Sequence, residues 1–321
     1  MEKKIMILCI SVIFTLSIAG CKKSSNNTTN TSTFKADTVF TLIEANAFPN
    51  YNDWNSIAMD VTGNKIFFYY SNVTDGFRID MLDLATGSTS IIYKHFPQSG
   101  QTAWHQTNGS EGLRLRYFSN TFDGNKLIVP GGATNHLIVE IKVNSDYSTT
   151  FQRVDSIPET SNTLRVEDGY DSDLLKTSTN NLINVVSMWN DVYNINNLYP
   201  AFPVSKTSHG SSIVGTPGGM EYIFCGYNAT LESYNNGVFI RGINMPNSEA
   251  QLQMDSKKRI YAYNGTSIFR FSSDLLTKEE FRVTGSLQGY RQEAMVIKEM
   301  PGYVQVYSFS TKDLIGMRLP L

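Results

Sequence analysis

The sequence predicts an all-β domain built of repeated units, and three features carry that prediction. Phe, Trp and Tyr make up 12% of the chain, Gly and Asn are abundant, and no stretch keeps up a long helical period. Short apolar runs of strand composition recur from about residue 56 to the C-terminus. Each run follows a polar turn whose residues tolerate the backbone of a tight hairpin.

The turn and the strand after it form the clearest repeat. They read TGNKIFFYY at 62–70, DGNKLIVPG at 123–131 and TNNLINVVS at 179–187, then GMEYIFCGY at 219–227, KKRIYAYNG at 257–265 and PGYVQVYSF at 301–309. A shorter apolar segment precedes each, at 56–60, 113–118, 163–167, 211–215, 250–254 and 293–297. Third strands are expected at 77–84, 136–143 and 267–271, and outer strands at 237–244 and 278–285. The units recur about 40 to 60 residues apart, which suits four-stranded blades with variable loops better than solenoid coils. The last unit reaches Leu321 before a fourth strand, while DTVFTLIE at 37–44 stands ahead of the first unit without a partner. Pairing that segment into the last blade would remove its open edge. The expectation is a six-bladed β-propeller over residues 34–321 with N-to-C strand closure. The third unit, near 160–205, has the least regular pattern, and seven blades or a β-sandwich with long loops are the alternatives.

The N-terminus predicts export and a lipid anchor. Lys3 and Lys4 precede an apolar run at 5–16, too short to span a bilayer comfortably, and small residues lead into Cys21 as Ile18-Ala19-Gly20-Cys21. This order resembles the lipobox of bacterial lipoproteins, which implies a signal peptide at 1–20 and lipidation of Cys21. Residues 21–33 continue as KKSSNNTTNTST after the cysteine, a composition that cannot bury enough apolar surface to fold alone, so a flexible tether is expected. Lys22 stands where an inner-membrane retention signal would place Asp, which points to the outer membrane.

Lys3, Lys4 and Glu2 lie in the first twenty residues, which leaves 25 of the 27 basic and 28 of the 29 acidic residues in the mature chain. Charge of both signs is mixed along it, so nothing points to nucleic acid. With Cys21 lipidated, Cys225 has no partner for an intramolecular disulfide.

Phrases such as TGNKIFFYYSN and DMLDLATG at 80–87 resemble bacterial propellers of the NHL and WD40-like kind, over most of residues 34–321. The Gly-His and Trp-Asp signatures of WD40 blades are missing. Lipidated propellers of this kind are frequent in the Bacteroidota, whose O-glycosylation motif resembles the segments at 37–39 and 155–157. The acidic surface-export signal of that group is absent after Cys21.

In such an architecture the loops between blades surround one mouth of the central channel. Those loops hold Trp54, then Trp104, His105 and Glu111, then Arg165, His209, Tyr290, Arg291 and Glu293. Trp and Tyr offer flat surfaces to a sugar ring or aromatic ligand, and Arg holds a carboxylate through two parallel hydrogen bonds. The plain alternative is that the Trp residues pack between blades and that the Glu residues pair with nearby Arg. The four histidines show no metal-ligand spacing, and neither a nucleophile elbow nor a phosphate or dinucleotide loop occurs. No metal and no cofactor is expected. The leading function is a binding module for a glycan, a peptide or an outer-membrane partner. A glycan lyase or hydrolase acting at the channel mouth is the alternative.

Overall fold

The computed structural model describes residues 30–35, 37–41, 56–72, 76–95, 115–121, 124–130, 137–156, 173–176, 183–186, 191–194, 199–203, 210–216, 220–225, 230–235, 238–245, 251–264, 266–284, 295–309 and 313–321. These residues form β-strands and turns. Two N-terminal strands, β1 (Asn30–Lys35) and β2 (Asp37–Thr41), precede six antiparallel sheets. Sheet 1 comprises β3 (Ser56–Met59), β4 (Lys65–Asn72), β5 (Gly76–Asp83) and β6 (Thr89–His95). Sheet 2 comprises β7 (Arg116–Thr121), β8 (Gly124–Pro130), β9 (Leu137–Val143) and β10 (Thr149–Ser156). Sheet 3 holds β11 (Asp173–Lys176), β12 (Ile183–Val186), β13 (Asp191–Asn194) and β14 (Tyr199–Pro203). Sheet 4 holds β15 (Gly210–Gly215), β16 (Met220–Cys225), β17 (Thr230–Asn235) and β18 (Val238–Asn244). Sheet 5 runs β19 (Gln253–Met254), β20 (Ile260–Tyr263), β21 (Ser267–Phe271) and β22 (Lys278–Thr284), with β1 added beyond β22. Sheet 6 runs β23 (Met295–Met300), β24 (Tyr303–Phe309) and β25 (Asp313–Pro320), with β2 as its outer strand.

The first strands of successive sheets are neighbours in the order β3, β7, β11, β15, β19 and β23, and β23 lies beside β3 again. The sheets therefore stand around a common axis with their first strands innermost. This arrangement covers both faces of a sheet, which explains why the second strands β4 and β20 carry unbroken apolar runs, at 66–69 and 260–263, instead of alternating. On β4, Ile66 and Phe68 pack against Val296 and Leu314 of sheet 6, whereas Phe67 and Tyr69 pack against Leu115, Leu127 and Ile141 of sheet 2. On β20, Ile260 and Ala262 face Val214, Tyr222 and Leu231 of sheet 4. Tyr261 and Tyr263 turn the other way, to Val304, Val306 and Ile315 of sheet 6. Each fully buried Val, Leu, Ile or Phe among them contributes roughly 1.5–3 kcal/mol.

The hairpin turn needs one left-handed residue. Gly63 (φ 65°) supplies it between β3 and β4, and Gly302 (φ 85°) does so between β23 and β24. Between β19 and β20 the same position is Lys258, held at φ 63°, with its N–H bonded to Asp255 O as that of Gly63 is to Asp60 O.

Two expectations are corrected by the strands. The inner strand of the third unit is β11 at Asp173–Lys176; the segment 163–167 lies outside the described residues. The polar stretch expected as a tether through Thr33 is strand from Asn30, since β1 runs parallel to β22 with Asn30 opposite Glu279 and Lys35 opposite Thr284. Its sequence NTSTFK has little apolar content, and backbone hydrogen bonding to an open sheet edge is available to any residue except proline. The strand expected at 37–44 forms from Asp37 to Thr41 and pairs antiparallel with β25.

Candidate functional site

The inner strands are stitched together by a recurring device. A polar residue at the start of one inner strand accepts a hydrogen bond from a backbone N–H of the next. Ser56 Oγ accepts from Leu115 N (2.7 Å), Ser212 Oγ from Leu252 N (2.9 Å) and Gln251 Oε1 from Met295 N (2.9 Å). Asp173 Oδ2 accepts from Ile213 N at 3.1 Å. All four polar residues are buried. These bonds satisfy amides that a first strand, with no inner neighbour in its own sheet, would otherwise leave unpaired.

At the axis the device grows into a network. Arg116, at the start of β7, donates through Nε to Asp173 Oδ1 (2.6 Å) and through Nη2 to Asp173 Oδ2. The same Nη2 lies 3.5 Å from Ile213 O and 3.4 Å from Leu252 O, so one guanidinium spans from sheet 2 to sheets 3, 4 and 5. Ser212 Oγ donates to Asp173 Oδ2 at 2.6 Å while accepting from Leu252 N. The Arg116 side chain is 13% exposed and Asp173 is 0% exposed. The Asp173 carboxylate enclosed by these donors ties sheet 3 to sheets 2 and 4. Arg116 is the one member that solvent reaches.

A second junction lies at the opposite end of the inner strands. Asp60 Oδ1 accepts from Asn64 N (2.9 Å) and Lys65 N (3.0 Å), and Oδ2 accepts from Thr62 Oγ1 (2.6 Å) and Tyr147 Oη (2.8 Å). Burial alone would push the Asp60 carboxyl up; the donors from Thr62, Lys65, Tyr147 and Asn64 outweigh it and hold the group below its ordinary value of 3.8. Tyr147 is pushed up, by burial first and then by the hydrogen bond and charge of Asp60. The bond joins sheet 1 to the β9–β10 turn of sheet 2, where Tyr147 itself sits at φ 64°.

The residues expected to bind ligand, Trp54, Trp104, His105, Glu111, Arg165, His209, Tyr290, Arg291 and Glu293, all lie outside the described residues, as does Cys21. The described strands do define the end from which these segments are reached. Trp54 is two residues ahead of Ser56, His209 directly precedes Gly210, and Glu293 is two residues ahead of Met295. Among the described residues no group of three His, Cys, Asp or Glu side chains could hold a metal ion.

Arg116, Asp173 and Gln251 were not singled out by the sequence reading. For Asp173 and Gln251 the one local signal, shared with Ser56 and Ser212, is a polar residue immediately before an apolar one at or near the start of an inner strand: Ser56-Ile57, Asp173-Leu174, Ser212-Ile213 and Gln251-Leu252.

No protein-family model matches the chain, and no curated protein matches it. Solved structures resemble it in fold. A periplasmic gluconolactonase of Pseudomonas aeruginosa is 12% identical with a TM-score of 0.54, covering 83% of this chain and 88% of its own. A catalytically inactive virginiamycin B lyase of Staphylococcus aureus, solved with quinupristin, is 14% identical with a TM-score of 0.54, covering 90% of this chain and 100% of its own. A gluconolactonase of Xanthomonas campestris is 11% identical with a TM-score of 0.52, covering 88% and 89%. At such identities the likeness is one of fold: this chain is an all-β protein with the fold of β-propellers.

Proposed function

We propose that this chain is a six-bladed β-propeller lipoprotein, anchored to the outer membrane by lipid on Cys21. Its ligand, a glycan, a peptide or an outer-membrane protein, binds at the end of the ring where the inner strands begin. The single observation that carries this reading is the stitching of the inner strands in one register. It gathers the starts of β3, β7, β15 and β23 at one end, each within five residues of the sequence positions of Trp54, Glu111, His209 and Glu293 respectively. The neighbourhood of β23 and β3 and the pairing of β2 with β25 support six blades closed by the N-terminal strand. Rigid inner strands bearing aromatic and charged residues just ahead of them make a ligand mouth of the usual kind, a positioned loop cluster on a fixed scaffold.

The test is binding of the purified protein to arrayed glycans and peptides, with hits followed by interferometry. Trp104→Ala and Arg291→Ala are expected to weaken binding of a hit at least tenfold while leaving the circular dichroism spectrum unchanged, a loss of about 1.4 kcal/mol or more. Unchanged affinity in both variants would remove this end of the ring as the site. Incorporation of labelled palmitate, lost in Cys21→Ser, tests the anchor.

A second reading, a lyase or hydrolase at the same mouth, is favoured by one finding: three of the solved structures of similar fold are named as gluconolactonases or a lyase. It predicts turnover of a polysaccharide or a sugar lactone that His209→Ala or Glu293→Gln abolishes. Binding without turnover selects the first reading.

A further inference from the structure

The strand directions give the ring two unlike ends. At the end opposite the proposed mouth lie the turns β3–β4, β5–β6, β9–β10, β17–β18, β19–β20, β21–β22 and β23–β24. These turns meet across sheets. Lys298 Nζ donates to Asn64 Oδ1 at 3.1 Å, Ser256 N and Oγ each donate to Glu299 at 2.6 Å, and Tyr222 Oη donates to Ser273 O at 2.6 Å.

Exposed apolar side chains concentrate at this turn-bearing end. Among the described residues seven large apolar side chains are exposed, and six belong here. Val61 is in the β3–β4 turn, Leu276 in the β21–β22 turn, and Leu321 follows β25. Val238, Phe239 and Ile240, each more than half exposed, are the first three residues of β18, the outer strand of sheet 4. The seventh, Ile91, is midway along β6. An exposed apolar run on an edge strand invites contact with another surface.

β1 shows where the N-terminal chain meets the ring. Its parallel pairing puts Asn30 beside Glu279, at the start of β22 and hence at the same turn-bearing end. Cys21 is nine residues before Asn30, so a lipid on it is within about 30 Å of that point whatever path the chain takes. Sheet 5, which carries β1, adjoins sheet 4, which carries the β18 edge.

We infer that the turn-bearing end lies against the bilayer, with Val238, Phe239 and Ile240 as its main apolar contact. The inference rests on the proposed lipid at Cys21. An acyl anchor fixes distance but not orientation; an apolar patch at the end where the N-terminal chain meets the ring fixes both, because it leaves water only when that face is turned down. Lys257 and Lys258 are exposed at this end, as are Asp146 and Asp274, whose carboxylates accept turn hydrogen bonds from Ser148 and Leu276. With both signs present, the contact is apolar and insensitive to salt. The opposite mouth then opens away from the membrane.

The test uses the full lipidated protein in phosphatidylethanolamine–phosphatidylglycerol vesicles, on a Cys225→Ser background. A bimane is attached to a single new cysteine, Phe239→Cys or Asn244→Cys, near the two ends of β18. Lipids brominated in their acyl chains are expected to quench the label at 239 several-fold more than at 244, equally in low and high salt. Quenching that is equal at both positions, or absent at 239, overturns the inference. A second variant, Phe239→Glu with Ile240→Glu, is read by a label at Leu276→Cys, where quenching is expected to fall. Palmitate incorporation is measured in the same samples. Its absence overturns the anchor and this orientation together, whereas its presence with indifferent quenching overturns the orientation alone. Sedimentation as a dimer that the double-Glu variant dissociates assigns the patch to a second copy and overturns the inference as well.

Discussion

Replacing Asp173 by Ala should be among the most destabilising single changes in this protein. The side chain is fully buried and accepts hydrogen bonds from Arg116 Nε, Arg116 Nη2, Ser212 Oγ and Ile213 N. Its removal leaves the Arg116 guanidinium, only 13% exposed, without its counter-ion. It also leaves a buried amide on β15 without its acceptor. Removing one partner of a buried ion pair costs about 3–5 kcal/mol, and an unsatisfied buried donor costs about 1–3 kcal/mol. The two share one network and do not add, so about 4 kcal/mol is the expected loss. The double change Arg116→Met with Asp173→Leu should cost less than Asp173→Ala alone, because it takes the stranded charge away with its partner. Both are read from urea unfolding followed by far-ultraviolet circular dichroism, with wild-type slope retained. A loss below about 1 kcal/mol in Asp173→Ala, or a double variant worse than the single one, would refute the assignment of this pair as the joint between sheets.

Four further predictions concern the turn-bearing end. Asp60 titrates below its ordinary 3.8 in the folded protein, so its contribution is present above that value and is lost as pH falls through the lower folded value. Asp60→Asn should therefore cost most near neutrality and converge on wild type in strong acid; a cost that does not vary with pH contradicts the linkage. Tyr147→Phe removes one charge-assisted hydrogen bond to Asp60 and should cost about 1.5 kcal/mol by the same assay. Lys258→Gly relieves a left-handed residue and should raise stability by up to about 1 kcal/mol, read as a higher melting temperature. Gly63→Ala should lower it by about 1 kcal/mol or more, since the added Cβ also meets the Lys298 side chain at 2.7 Å. Equal melting temperatures for both variants and wild type would show that the turn tolerates either residue.

The sequence by itself determined where most strands lie. IFFY at 66–69 and IYAY at 260–263 are apolar at every position because their sheets are covered on both faces, and that is written in local composition. The turns before them are legible for a similarly local reason: a left-handed backbone selects glycine or a residue that tolerates the strain. The outer strand of the last sheet could be read at 37–44 because an unpaired strand and an incomplete unit stood at opposite ends of the chain.

What the tertiary structure alone decided is where polar groups meet across sheets. Arg116 and Asp173 are 57 residues apart and Arg116 reaches Leu252 across 136, distances at which no local pattern records a contact. The start of sheet 3 moved to Asp173 for the same reason, since that position is fixed by the Arg116 guanidinium and the amide of Ile213 more than by its own short strand. β1 was illegible because edge pairing uses backbone groups that every polar segment possesses. The direction of β1, which sets the end of the ring where the N-terminal chain meets it, follows from that pairing and from nothing in the sequence NTSTFK.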